Sequence, residues 1–125
     1  MRDYLSNSDF YQKIFPCDPV LDNVRLLKFF VENNNAYITL GLVNYLPEKA
    51  PKNWNRNKLN STKFVISFLF FDSIIAKNIS QTEFGSLRLR RENSKINAIF
   101  SGRAGDIDIL CEFISIDGVI AYEDT

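Results

Sequence analysis

Few residues in this chain are suited to chemistry. It has 125 residues and no histidine, which removes the most frequent general base and the commonest metal ligand near neutral pH. Ser-His-Asp and Cys-His arrangements are thereby excluded. Two cysteines, Cys17 and Cys111, fall short of the four Cys or His ligands of a structural zinc site. There are five glycines, and neither a Gly-x-Gly-x-x-Gly run nor a Walker-type loop occurs among them. Gly102-Arg103-Ala104-Gly105 combines two glycines with a cation, but it joins strand-like segments rather than opening a helix, so it reads as a turn. The best acid–base pair is Asp106 with Asp108. Two positions apart on a strand, they project from one face about 7 Å apart, a spacing that suits glycosidic acid–base work. The plainer reading sets Ile107, Ile109, Cys111 and Phe113 facing inward and makes Asp106, Asp108 and Glu112 the wet face of a half-buried strand. No partner motif accompanies the pair. The expectation is a protein without catalysis, cofactor or metal.

Composition narrows the class further. An apolar share of 46%, with 11 phenylalanines, is too rich for disorder, and the length suits one domain spanning residues 1–125. Lys plus Arg and Asp plus Glu are 15 each. A general nucleic-acid binder draws its affinity from a basic excess, so nucleic acid is not an expected partner. The most apolar stretch, 64–75, is about a dozen residues long and broken by Ser67, Asp72 and Ser73, short of the roughly 20 that span a membrane. The N-terminal residues show no signal-peptide run. The expected address is the cytoplasm, and the two thiols are expected to be free there.

The elements that must position any site are mostly strands. Ser8 or Asp9 caps a short helix through Phe10, Tyr11, Ile14 and Phe15, with Phe10 and Ile14 sharing a face, and Pro16 and Pro19 end it. Residues 24–31 and 36–43 are β-branched and aromatic and flank Asn33-Asn34-Asn35, which predicts a hairpin. Residues 44–60 hold Pro47, Pro51 and several asparagines and read as a long loop. In 62–71, Phe64, Ile66, Phe68 and Phe70 alternate with Val65, Ser67, Leu69 and Phe71. With both faces apolar, this strand is expected to be central and covered on both sides. Further strands are expected at 73–79, 87–91, 95–101, 106–116 and 119–122, the last two joined by an Asp117-Gly118 hairpin. The fold class is therefore mainly β: an antiparallel sheet or sandwich of seven or eight strands with one short N-terminal helix.

Charge is balanced in total but segregated along the chain. Residues 49–63 carry five cations and no acid, residues 88–103 five cations against Glu92, and residues 104–125 six acids and no base. Such segregation steers partners and sets register. Arg88 and Arg90 share one face, as do Asp106 and Asp108. In a simple meander one strand separates the two stripes by about 10 Å. The stripes either neutralise each other or leave an outward acidic patch, and both readings stand at this point. Trp54, the single tryptophan, either anchors a partner or pins the loop with its indole N–H satisfied; the pin is the commoner role.

The loop Asn44-Tyr45-Leu46-Pro47-Glu48-Lys49-Ala50-Pro51-Lys52-Asn53-Trp54, followed by Leu59-Asn60-Ser61-Thr62-Lys63-Phe64, resembles the bacterial immunity protein 50 family of polymorphic toxin systems. Pro51, Trp54 and Asn60 match the family's Pro-Pro-x-x-Trp and following Asn. Ala50 stands where the family has its first proline. The resemblance implies a cytoplasmic antidote that binds a cognate toxin protein. Pro51, Trp54 and Asn60 would then be structural loop residues rather than toxin contacts. Toxin binding is expected at Asp106, Asp108 and Glu112, with Arg88 and Arg90 beside them, in a monomer or weak dimer. The alternative is a non-catalytic small-ligand or carbohydrate module, with Trp54, Tyr45 and the arginines lining a cleft.

Overall fold

The computed structural model describes residues 1–46, 59–79 and 83–124. Pro51 and Trp54 lie outside the described residues. Strands β1 (Val24–Glu32) and β2 (Asn35–Leu42) pair antiparallel from Arg25↔Gly41 to Glu32↔Asn35. Asn33, at φ 56°, supplies the left-handed backbone of their tight turn. Strands β3 (Ser61–Lys77), β4 (Glu83–Glu92), β5 (Lys95–Gly102) and β6 (Asp106–Tyr122) complete one antiparallel sheet. The sheet closes on itself in the order β1-β2-β3-β6-β5-β4, with β1 meeting β4 at Val24↔Gly85, Arg25↔Phe84 and Leu26↔Glu83. Closure removes the exposed edges that make open sheets prone to pair with other chains.

The strand count is six rather than seven or eight, and the reason is local. Residues 73–79 do not form a separate strand, because β3 runs on to Lys77. Residues 119–122 likewise continue β6. Asp117-Gly118 is a bulge, not a hairpin: Lys63 pairs with Ile120 and Val65 with Asp117, leaving one extra residue on β6. Gly118, at φ 57°, spends the positive φ expected of a hairpin turn on a bend within the strand instead. A second irregularity between Phe71 and Ser73 puts an extra residue on β3. Phe70 and Phe113, both expected inside, are 54% and 50% exposed.

Inside the barrel the alternation holds. Leu26, Ile38, Leu40, Phe64, Ile66, Phe68, Phe100, Ile107, Ile109 and Ile114 are all buried in one cluster. Each such side chain contributes roughly 1.5–3 kcal/mol of burial free energy. Cys111 is buried there as a free thiol, while Cys17 is free and exposed. Burial pushes the Cys111 thiol up to about 11, so it packs as an inert apolar group.

The N-terminal segment occupies the gap that β5 leaves along β6. Pairing of β5 with β6 ends at Ile96↔Cys111, and beyond it Leu5 bridges Ile114 in parallel while the Ser6 amide donates to the Ile114 carbonyl at 2.8 Å. Asn7 extends the ladder with its side chain, donating to the Ile116 carbonyl at 2.6 Å and accepting from the Ile116 amide at 3.0 Å. This use of Asn7 changes the expected helix start. Helix α1 (Ser8–Ile14) takes Asn7 as its N-cap and has no side-chain cap bond. Its inward face also differs from expectation: Tyr11 and Phe15 are buried, whereas Phe10 is 41% exposed. Phe15 packs against Tyr11, Phe64 and Tyr45 with ring centroids 5.0, 5.9 and 6.1 Å apart.

Asp18 ties this segment together. Its carboxylate accepts from the Met1 ammonium at 2.7 Å, from the Arg2 amide at 3.1 Å and from the Tyr11 hydroxyl. Burial would raise the Asp18 carboxyl, but the hydrogen bonds from the ammonium, the hydroxyl and the amide outweigh it and hold the group below its ordinary value. A depressed folded value means stability that is present above the unfolded value of 3.8 and is lost as pH falls through the folded one. Asp18→Asn should therefore cost about 1 kcal/mol at neutral pH. In urea titrations the gap between variant and parent should shrink steadily below pH 4. A gap that is constant or widening on the acid side would contradict this role.

Candidate functional site

Four of the five expected binding residues, Arg88, Arg90, Asp106 and Asp108, lie on one outer face of the barrel, and Glu112 follows farther along β6. Register across β4, β5, β6 and β3 sets the four in three rows. Arg88, Ile99, Asp108 and Ile75 lie side by side, as do Arg90, Asn97, Leu110 and Ser73, and Ser86, Ser101, Asp106 and Lys77. They all point outward because Leu87, Ile96, Ala98, Phe100, Ile107 and Ile109, alternating with them, fill the core. Ile75 is 56% exposed, and a shallow depression of about 260 Å³ is lined by Ile75, Lys77, Ile99, Ser101, Asp106 and Asp108. The face is thus an apolar patch ringed by both signs of charge, not a uniform acidic patch.

The arginine and aspartate stripes are joined through a residue of the strand between them. Arg90 Nε donates to Asn97 Oδ1 at 3.0 Å, and Asn97 Nδ2 donates to Asp108 Oδ1 at 2.7 Å and to the Ile109 carbonyl at 3.2 Å. Asn97 is buried although it points outward. Its neighbours therefore cover it, and its amide is satisfied on both sides. Direct Arg–Asp contact across two strand spacings is replaced by this amide relay. Arg90 also approaches Glu92 at 3.9 Å with both side chains exposed, a contact worth little. Asp106 and Glu112 are exposed.

The residues that sequence reasoning missed are Asn97, Ile75 and Ile99. A signal for Asn97 was present: it is the one polar residue in the apolar run Ile96-Asn97-Ala98-Ile99-Phe100. Ile75 carried no such signal, because its outward direction depends on the β3 irregularity. Asn60 is placed as a clamp on the chain's C-terminal strand. Its amide donates to the Tyr122 carbonyl at 3.2 Å, and its side chain donates to the Asp124 carbonyl at 3.1 Å and accepts from the Asp124 amide at 2.9 Å. Arg25 adds an ion pair to Asp124.

Other chemistry finds little support among the described residues. No group of three or more His, Cys, Asp or Glu is placed to hold a metal, and no helix is long and apolar enough to cross a membrane. Tyr45 lines a depression with Pro19, Val20, Asn23, Leu42 and Val43. Among the described residues no arginine joins them there, and Trp54, the other aromatic expected in a small-ligand cleft, lies outside those residues.

These features define a closed β-barrel whose distinctive chemistry lies on its outer surface. The family model for Immunity protein 50 matches residues 7–122, nearly the whole chain, and the chain belongs to that family. No curated protein and no solved structure matches it significantly.

The relay makes a direct energetic forecast. Asn97→Ala leaves the Asp108 carboxylate and the Ile109 carbonyl without their donor and should cost about 1–2 kcal/mol in urea unfolding. Arg90→Ala, at the exposed end, should cost no more than about 0.5 kcal/mol. Equal losses from the two substitutions would mean that Asn97 does not hold the face together.

Proposed function

We propose that the chain binds a cognate bacterial toxin domain one to one and neutralises it, acting in the cytoplasm as a monomer or weak dimer. Membership of the immunity protein family carries the proposal. The chain's chemistry is consistent with it: a chain without histidine lacks the side chain most often used to move protons near neutral pH, and a barrel packed with side chains leaves its outside for recognition. The protein is accordingly read as a stoichiometric inhibitor and not an enzyme.

The face formed by β4, β5, β6 and β3 suits this task. Ile75 and Ile99 supply apolar surface, and Asp106, Asp108, Arg88, Arg90 and Lys77 surround it with charges whose pattern a partner must complement. Interfaces draw affinity from a desolvated centre and specificity from a polar rim. Asp108 is held by Asn97, so its charge is presented in a fixed place. Glu112 continues the same strand beyond this grid.

The test uses the toxin domain encoded beside the gene for this chain. Purified chain should form a one-to-one complex with it and abolish its activity. Asp106→Lys combined with Glu112→Lys, leaving the Asn97-bound Asp108 in place, should slow association about tenfold at low salt. The difference should fade above roughly 0.5 M salt, where the Debye length falls below about 5 Å. Toxin activity that persists in excess chain would refute the function. Unchanged association rates would remove these carboxylates from the contact surface.

A further inference from the structure

The barrel does not account for the backbone at Phe70. This residue has φ 54°, a left-handed conformation disfavoured for any residue with a Cβ and anomalous for a bulky one. The other described residues with positive φ are Asn33, Asn44, Asn78, Asn93 and Gly118. These are the two residue types that tolerate the conformation best, and Phe70 alone departs from them. The conformation is held in place: the Phe70 amide donates to Asn35 Oδ1 at 3.2 Å, and the Phe71 amide donates to the Asn34 carbonyl at 3.1 Å. The consequence is a phenylalanine ring turned out to solvent.

Phe113 stands beside it. The rings of Phe70 and Phe113 meet edge to face with centroids 6.4 Å apart, and each is at least half exposed. Two adjacent phenylalanines on the outside of a fold, one on strained backbone, forgo much of the burial that a phenylalanine gains in a core, and their edge-to-face contact returns only part of it. Strain of this kind is characteristic of sites where a side chain must be presented, and rigid aromatic side chains are the usual anchors of protein interfaces.

The surroundings select the occupant. Phe113 borders a groove of about 370 Å³ whose lining includes Glu112, Arg91, Ser94 and Asp3. Arg91 is engaged, donating to the Asp3 carbonyl at 3.1 Å with its guanidinium 5.4 Å from the Tyr4 ring centroid, and Lys95 is paired with Asp72. Glu112, next to Phe113, is exposed and has no bonded partner among the described residues. It leaves a negative charge at the edge of the aromatic pair. A second copy packed with a two-fold axis through the aromatic pair would bring Glu112, the neighbour of Phe113, toward its own counterpart, like charge against like. A different protein, offering an apolar side chain next to a lysine or arginine, meets no such penalty. The pair also adjoins the charged face along β6, from Asp108 through Leu110 to Glu112.

We propose that Phe70 and Phe113 are the anchor by which the chain grips its toxin domain, with Glu112 pairing a basic side chain at the rim. This rests on the toxin-binding reading above. The probe is the toxin domain encoded beside the gene for this chain, titrated calorimetrically against the full chain and three variants. Phe113→Ser and Phe70→Asn should each weaken Kd by about 30-fold or more. Ile120→Ser, which removes another exposed apolar side chain on β6 (47% exposed), should stay within about threefold of the parent, as surface contacts outside an anchor do. Phe70→Asn should also keep or raise the thermal midpoint, since asparagine accepts that backbone; a residue serving only stability would lower it. If the parent chain binds and both phenylalanine variants bind equally well, the anchor is refuted while the function stands. If the parent chain does not bind, the function falls and the anchor with it. If sizing shows a dimer that Phe113→Ser dissolves while toxin binding persists, the surface serves a second copy and the proposal is overturned.

Discussion

The pairing of β3 with β6 is the constraint on which the rest of the structure depends. Both strands are 17 residues long and stay in antiparallel register from Ser61↔Tyr122 to Lys77↔Asp106. No straight pair of that length fits within a small closed barrel, so the ladder has to bend. It does so at an extra β6 residue near Gly118 and an extra β3 residue between Phe71 and Ser73. Bulges of this kind coil strands and re-aim side chains. The bends let β2 flank one half of β3 and β5 flank one half of β6. The part of β6 that β5 does not reach is taken up by Leu5, Ser6 and Asn7.

Those bends also decide what the outside of the protein presents. A register change sends the following side chains to the opposite face. Beyond the Phe71–Ser73 irregularity, Ile75 joins Ile99 and Asp108 on the charged face, while just before it the positive φ of Phe70 leaves that ring outside, beside Phe113. The fold thereby combines an interior filled by aliphatic and aromatic side chains with an exterior that carries exposed apolar side chains and charges. That combination suits recognition of another protein, as membership of the immunity family implies.

Much of the architecture was legible in the residues. Alternation in β1, β2, β5 and the first half of β3 gave their limits to within a few positions, because period-two burial is a local property. The class, mainly β with a short N-terminal helix, followed from these strands and the turns between them. What could not be read was set by contacts distant in sequence. Whether Asp117-Gly118 turns the chain or bulges it depends on β3, more than 50 positions away in the chain. The inward face of α1 depended on Phe15, which packs against Phe64 and Tyr45 and brings Tyr11 rather than Phe10 inside with it. The five candidate binding residues were correctly placed on strands, but their relation to one another was not. Asn97 settles that relation: its place in an apolar run marks it as unusual, but its partners Arg90 and Asp108 lie on the strands to either side and are set by register. By alternation Phe70 continues the inward series of Phe64, Ile66 and Phe68; its positive φ breaks that series.

Residue-by-residue mapping of the contact by NMR tests the central claim most directly. The isotope-labelled chain would be titrated with unlabelled toxin domain. The account predicts saturation at one equivalent, with the largest shift changes in the aromatic resonances of Phe70 and Phe113 and in the outward residues of β3, β5 and β6 from Ile75 and Ile99 to Glu112. Saturating shifts confined to the opposite side of the barrel, around Lys28, Thr39 and Lys63, would contradict it.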